Sequence, residues 1–258
     1  MSSILFEIKN SIAFITLNRP EKFNAFNREM SIVLQEKLDE CEKNISVRCV
    51  YITGAGKGFS SGQDLSQGAD PNGLDIGKII SEQYNPIIRK IRNLNKPVIA
   101  AVNGIAAGAG ANIALCCDVV IASESAIFIQ AFSKIGLIPD CGGTYFLPRL
   151  IGLQKSSALM MLGEKISAKE AERIGMIYKY FPDETFFHEA EKMAIALSQL
   201  PTKALAYTKQ ALNQSLEQSL EQQLQTEDLF QQKAAATNDF KEGVCAFIEK
   251  RKADFKGD

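Results

Sequence analysis

The sequence predicts an α/β fold, because strand pairs alternate with helices through the first half and helices dominate after about residue 153. Two observations carry that expectation. Short β-rich runs bounded by glycine, proline or asparagine recur between segments with helical spacing of apolar residues, and beyond residue 153 the only further strand signal is MIYKYF. Taken in order, LFEIKN and SIAFITLN read as paired strands, with Ile12, Phe14 and Thr16 on one face and Ala13, Ile15 and Leu17 on the other. NREMSIVLQEKLDECEKN sets Met30, Val33, Leu34, Leu38 and Cys41 at helical spacing, with Asn27 as the N-cap. RCVYITG is a continuous apolar run ending in glycine, as a strand buried on both faces should be. A helix near 78–94, the strand PVIAAVNG, a helix near 109–116 and the strands DVVIAS and AIFI repeat the pattern, which suggests a coil of ββα units. Helices are then expected near 154–162, 167–173, 184–199, 202–216, 218–235 and 238–252. Their apolar stripes need a surface to cover, in the same chain or in a neighbouring subunit.

Composition excludes several classes. At 258 residues, with 46% hydrophobic and 23% charged residues, the chain is an ordinary globular protein. A net charge of −1 provides no overall field to draw it onto nucleic acid or an anionic membrane, so small molecules or copies of itself are the expected partners. The opening MSSILFEIKN has no basic segment leading into a long apolar run, and no stretch approaches the roughly 20 apolar residues of a membrane span. A cytoplasmic location is expected. Six cysteines, at 41, 49, 116, 117, 141 and 245, form no CxxC pair and are expected to be reduced. The single histidine, His188, falls in ETFFHEAEKMAIALSQL, an amphipathic helix with Phe187, Ala190, Met193 and Leu197 along one side. Ser-His-Asp and Cys-His catalysis and histidine-ligated metal sites are therefore disfavoured, and Cys141 has no partner base. No metal is expected.

Three glycine-rich stretches fail as nucleotide loops. TGAGKGFSSG has Gly58 where a P-loop requires Ser or Thr, and GIAAGAGANI lacks the last glycine of GxGxxG. Each instead follows a strand with a tight turn that exposes backbone N–H groups. Two such turns, at Gly62-Gln63 and Gly108-Ala109-Gly110, could hold one developing oxyanion between two N–H donors, as enolate formation in a thioester demands. Residues 100–150 contain three carboxylates, Asp118, Glu124 and Asp140. Asp118 opens an apolar strand and is expected to be a hydrogen-bonded turn residue, and Glu124 lies in the polar turn SES. Asp140 follows a proline in an apolar, uncharged neighbourhood, where burial should raise its pKa and fit it to carry a proton. A helix N-cap before GGTYFLPRL is the bland alternative.

FSSGQDL, AAVNGIAAGAGANIALCCDVVIA and IGLIPDCGGTYFLPRLIG resemble, in order and spacing, the signature segments of the enoyl-CoA hydratase/isomerase (crotonase) superfamily, and the match extends over essentially the whole chain. The resemblance implies a crotonase-like spiral of ββα units over residues 1–200, carrying the acyl-CoA site, and a helical C-terminal oligomerisation region over 201–258. It implies a homotrimer or a dimer of trimers, no cofactor beyond the coenzyme A of the substrate, and Asp140 as the catalytic group. The oxyanion hole would be the backbone N–H groups of Gln63 and Ala109. Lys22, Phe23 and Ala25 resemble the adenine-side loop, Asp64 and Leu65 follow the first turn, and Phe247 and Lys250 lie three apart near the end, so these seven are the candidate CoA contacts. Where hydratases of the family carry two water-holding glutamates, this chain has Asn112 and Phe132, which are pocket candidates that cannot accept a proton at neutral pH. In this respect it looks closest to the phenylacetate-degradation isomerases, which shift 3-enoyl to 2-enoyl double bonds or convert ring-epoxidised phenylacetyl-CoA to an oxepin. The Gly, Asp and Pro content of 66–85 suggests a mobile loop closing over the acyl chain.

Other readings compete. A weak or altered hydratase keeps the fold and changes the reaction. Nucleophilic attack by Asp140, as in aryl-CoA dehalogenases resembling the family, lacks the tryptophan and site histidine that such enzymes use. Arg89, Lys90, Arg92 and Lys96 could form an RNA-binding basic face, against which the near-zero net charge weighs. A catalytically dead acyl-CoA binder would keep both turns and lose the carboxylate, whereas Asp140 is present.

Overall fold

The computed structural model describes residues 2–68 and 75–258. Among the described residues ten strands form two sheets. Strands β1 (Ile4–Lys9), β2 (Ile12–Leu17), β3 (Cys49–Gly54), β5 (Val98–Val102), β7 (Val119–Ser123) and β10 (Lys179–Phe181) lie side by side in that order. The β1–β2 pair is antiparallel and every other pair in this sheet is parallel. The second sheet runs β4 (Gly58–Ser60), β6 (Ile105–Ala107), β8 (Ile127–Ile129) and β9 (Lys165–Ser167), with only the last pair antiparallel. Each turn of the coil therefore sends one strand to the large sheet and the next to the small one. Parallel neighbours need crossovers, and helices supply them. These are α1 (Arg28–Lys43) and, between β4 and β5, a helical stretch made of α2 (Ile76–Lys78), a π-helical turn (Ile79–Tyr84) and α3 (Asn85–Asn93). After β6 comes the short α4 (Ala109–Leu115).

Period-two alternation explains why β3 and β5 are apolar throughout. Val50 and Ile52 of β3, with Val98, Ala100 and Val102 of β5, face the main core, which also holds Met30, Leu34 and Leu38 of α1 and Phe59 and Phe128 of the small sheet. Cys49, Tyr51, Ile99, Ala101 and Ile121 face the other way, onto α8 (Phe186–Ser198). The buried stripe of α8 is Phe186, Ala190, Ala194 and Ser198. It begins one residue before the Phe187 expected from the sequence, and both Phe187 and His188 are exposed.

The helices α5 (Gly143–Ile151), α6 (Leu153–Leu162), α7 (Ala168–Arg173), α9 (Thr202–Ser215), α10 (Leu220–Ala235) and α11 (Asn238–Glu249) complete the chain. Asn27 caps α1 by accepting from the Met30 N–H at 2.8 Å, as its residue type led one to expect. Three expectations need correction: a strand besides MIYKYF, β9, forms beyond residue 153. Helix α11 stops at Glu249, and Lys250 leaves it in the left-handed conformation at φ 55°, so Phe247 and Lys250 do not share a helix face. Within 66–85, residues from Ile76 onward are helical, while the expected loop closure falls partly on residues outside those described. Among the described residues no helix is long and apolar enough to cross a membrane.

The π-turn has an identifiable cause. Pro86 has no N–H to give the carbonyl of Glu82 and its ring crowds that carbonyl, so the α-helical ladder opens ahead of it. The Gln35 side-chain amide satisfies the released groups, donating to Glu82 O at 2.9 Å and Gln83 O at 3.1 Å. The wider turn carries Tyr84 into the interior, where it is buried.

Candidate active site

The two glycine turns meet. A methyl group placed on Gly62 would lie 2.8 Å from Ala107 O and 3.4 Å from Ala109 N, so the end of β4 abuts the start of α4 and only glycine fits, at φ 91°. The residues around the first turn are fully engaged. The N–H of Phe26 donates to Gly62 O at 2.7 Å, the N–H of Asp64 donates to Phe26 O at 2.8 Å, and the Gly62 N–H donates to Ser60 Oγ at 3.2 Å. The Gln63 N–H between them meets no acceptor among the described residues, and neither does that of Ala109, whereas the Gly108 N–H is held by Ile129 O at 2.9 Å. Both predicted donors are thus free and border one cavity of about 200 Å³.

That cavity is lined by apolar residues, among them Leu65, Ile76, Ile79, Ile80, Phe132 and Leu137, and by Asp140. Asp140 does not cap α5, since Gly142 occupies that place. Its main-chain carbonyl instead accepts from the Gly143 N–H at 2.8 Å and from Asn112 Nδ2 at 2.9 Å. The following residue, Cys141, holds a left-handed backbone at φ 52°, a strained conformation of the kind that clusters at functional sites. The Asp140 Oδ1 atom is buried and meets no hydrogen-bond donor among the described residues. Burial is the main influence on this carboxyl and lifts it above the usual aspartate range, with the Cys141 thiol and its own backbone N–H opposing the shift. Burial and the neighbouring Asp140 charge both push the Cys141 thiol up, so it is a poor nucleophile.

The other candidates divide. Phe132 lines the cavity, with its ring over Gly108. Asn112 does not line it: it lies behind the wall, 1% exposed, packed so closely on Gly143 that a methyl there would sit 2.3 Å from its Nδ2. Lys22 and Phe23 lie beside the cavity mouth, because Ser61, a lining residue, donates its N–H to Phe23 O at 2.9 Å and its hydroxyl to Lys22 O at 3.1 Å. Ala25 is buried with its carbonyl taken by Arg19 Nη1 at 2.6 Å. Asp64 is also buried and paired with Arg19 Nη2 at 2.8 Å. Burial pushes the Asp64 carboxyl up, but hydrogen bonds from Ser66 and Arg19 outweigh this and hold it low, so its side chain is committed to the fold. Leu65 lines the cavity, whereas Phe247, at 86% exposure, and Lys250 do not.

Among the wall residues, Tyr84 and Lys134 escaped the sequence reading. Tyr84 donates its hydroxyl to Gln63 Oε1, and Lys134 lines the same cavity. Gln63 therefore contributes a side chain as well as an N–H. Only Pro86, two places beyond Tyr84, hinted that the helix would open there.

The remaining sequence candidates are structural. Asp118 accepts from Arg92 Nη1 at 3.0 Å, Lys209 Nζ at 2.8 Å and the Val98 N–H at 2.8 Å, joining three elements. Of the basic cluster, Arg92 is held there, Lys90 pairs with Asp39, and Lys96 is buried against the carbonyls of Cys41 and Asn44 at the end of α1. Three of the four cations are thus engaged within the chain, and Arg89 alone is exposed, which leaves little to offer a phosphate backbone. Among the described residues no three His, Cys, Asp or Glu side chains gather as metal ligands would.

Two strand-to-helix turns with free N–H groups and one partly buried carboxylate thus border a single cavity, an arrangement in which the N–H donors can hold a negatively charged oxygen. Residues 7–258 match the family model described as enoyl-CoA hydratase/isomerase, and the chain belongs to that family. It is 45% identical over 260 residues to the 1,2-epoxyphenylacetyl-CoA isomerase of Escherichia coli K12, covering 100% of this chain and 99% of that protein. It is 44% identical over 255 residues to a Rhodobacter capsulatus protein named "Probable enoyl-CoA hydratase", covering 99% and 98%. The crystal structure of an enoyl-CoA hydratase from Bacillus anthracis matches with a TM-score of 0.92 at 31% identity, covering 99% of this chain and 100% of that one. The architecture is the crotonase fold.

Proposed function

We propose that the chain is an acyl-CoA isomerase that works through a thioester enolate, shifting a 3-enoyl double bond to the 2-position or isomerising ring-epoxidised phenylacetyl-CoA to the oxepin. The observation that carries this is Asp140, the one carboxylate lining the cavity among the described residues. In the double-bond shift, Asp140 takes the proton α to the thioester and the C–H electron pair moves onto the carbonyl oxygen, held by the Gln63 and Ala109 N–H groups. The same carboxyl then returns the proton two carbons away as the enolate collapses. One carboxyl suffices for both transfers and no water takes part. Addition of water needs a second group to hold and activate it. The positions where hydratases of the family carry that pair have an amide engaged behind the wall and a phenyl ring. The E. coli relative's name agrees with this assignment, and the small apolar cavity suits a compact acyl group. For the nucleotide end we propose Lys22 and Phe23 at the cavity mouth, and Phe247 with Lys250 from an adjacent copy in a homotrimer.

Side-by-side assay on 3-enoyl-CoA, 2-enoyl-CoA and ring-epoxidised phenylacetyl-CoA tests the reaction. Asp140→Asn should lower isomerisation about 10³-fold, within the range for loss of a general base, while acyl-CoA affinity stays within a few-fold because both oxyanion donors are main-chain. Most of the turnover surviving in that variant would remove Asp140 from the mechanism. Wild-type hydration of 2-enoyl-CoA as fast as isomerisation would make the chain a hydratase instead.

A further inference from the structure

Behind the cavity runs a buried polar chain that no step above uses. Gln130 joins β8 to a 3-10 turn (Ala131–Ile135), is 2% exposed, and donates Nε2 to Asn112 Oδ1 at 2.8 Å. Asn112 in turn donates Nδ2 to the main-chain oxygen of Asp140 at 2.9 Å. Chemistry fixes the direction of both bonds. A carbonyl can only accept, so Asn112 must offer its NH2 group to Asp140, its own oxygen then faces Gln130, and Gln130 must answer with NH2. The Gln130 Oε1 atom is buried and meets no donor among the described residues. Packing alone would be served better by an apolar side chain, since an unmet buried amide oxygen is costly.

The same piece of chain reaches the other half of the site. Ile129 O accepts from the Gly108 N–H at 2.9 Å, just before the oxyanion donor Ala109, and the Asn112 N–H donates to Gly108 O at 3.1 Å. Three hydrogen bonds thus tie the end of β8, the start of α4 and the Asp140 turn together; the Gly108 bond continues the β6–β8 ladder, and the two through Asn112 extend it to the Asp140 turn.

We propose that Gln130 is a positioning residue, which acts through Asn112 to fix the Asp140 main chain and so aims the carboxyl at the substrate carbon held beside the two N–H donors. This rests on the reading of Asp140 as the base. On it, residue 112 has exchanged the water-holding task of a hydratase glutamate for the orientation of a single base, and Gln130 sets its amide the right way round. A glutamate at 112 would point an acceptor at the Asp140 carbonyl. Small displacements of a reacting group cost large factors in rate, so the effect should fall on kcat.

The test uses the full chain, with kcat, KM, pH profile and thermal midpoint measured on 3-enoyl-CoA for Gln130→Met, Gln130→Glu, Asn112→Ala, the Gln130→Met/Asn112→Ala pair and Asp140→Asn. Methionine has nearly the same length and cannot donate. Gln130→Met should lower kcat about 10-fold with KM within twofold, and should move the acid limb of the profile toward ordinary aspartate values as water reaches the loosened carboxyl. The paired variant should be no slower than Asn112→Ala alone, because both changes break one chain. Glutamate, facing Asn112 Oδ1 with acceptors only, should cost more than methionine, and it carries the comparison should Gln130→Met not fold. Gln130 variants within twofold of wild type, losses that multiply in the pair, or equal changes in kcat and KM with an unmoved acid limb would each overturn the proposal. Wild-type-like Gln130 variants beside an inactive Asp140→Asn bring down the positioning role alone, whereas an active Asp140→Asn brings down the base and the positioning role together.

Discussion

Asp140 is a residue kept at the expense of the fold it sits in. Burial raises its carboxyl above the ordinary range, so the folded chain holds that proton more tightly than the unfolded chain does. The stabilisation it brings is therefore complete below the unfolded value of about 3.9 and is lost as pH rises through the raised folded value. At neutral pH the ionised carboxylate opposes folding, with one oxygen buried and unmet. Asp140→Asn should accordingly keep or raise the thermal midpoint at pH 7 while it removes turnover, and the difference from wild type should shrink as pH falls. A midpoint several degrees lower at pH 7 would mean that the carboxylate is held by groups that favour its charge. The sign for activity is opposite: the base must be ionised to accept a proton, so kcat/KM should fall as pH drops through a value above the normal aspartate range.

At the scale of elements, the site depends on how closely β4 and α4 approach. A methyl group on Gly110 would fall 2.5 Å from Ser60 O and 2.6 Å from Ser60 Cβ, so α4 could accept it only by moving away from the strand. Gly110→Ala should cost about 1–3 kcal/mol as an overpacked junction, read as a drop in thermal midpoint. Since the shift carries the Ala109 N–H with it, kcat should fall at least 10-fold as well; an unchanged kcat in a destabilised protein would show that the donor keeps its place independently. The sequence made much of this legible. Strand periodicity and the Asn27 cap located β1 to β3 and α1, and the two glycine turns and the isolated carboxylate singled out in the sequence border one cavity. Interactions between segments far apart in sequence were not legible. Asn112 looked like an emptied catalytic position because nothing local shows its amide reaching Asp140, 28 residues away. The π-turn that delivers Tyr84 depends on Pro86 and on Gln35, 47 residues before the Glu82 carbonyl it satisfies.

Across the whole molecule, the C-terminal helices are fastened to the core by two cations, the buried Lys209 and the half-buried Arg48, and still leave apolar side chains exposed. Lys209 of α9 donates to Ile91 O at 2.6 Å and pairs with Asp118, and Arg48 donates to Thr202 Oγ1, Leu200 O and Phe255 O. Beyond these ties Leu212, Leu216, Leu220, Leu224, Phe247 and Ile248 remain exposed. On the proposal that an adjacent copy supplies them, Phe247 and Lys250, which lie outside their own chain's cavity lining, serve a neighbour's ligand. CoA offers such a residue phosphate groups to bind and an adenine to cover. Lys250→Ala should then raise KM for acyl-CoA substrates several-fold with little change in kcat, the mark of binding energy shared equally by ground and transition states. A pantetheine thioester has the acyl end without the nucleotide, so its KM should move far less. An equal rise with both substrates would make Lys250 structural, and an unchanged KM with both would place the nucleotide elsewhere. Repeating the comparison on protein diluted until it runs as a monomer separates the two chains' contributions: wild type should there show the raised KM of the variant, because the lysine that reaches the ligand belongs to the copy that has left.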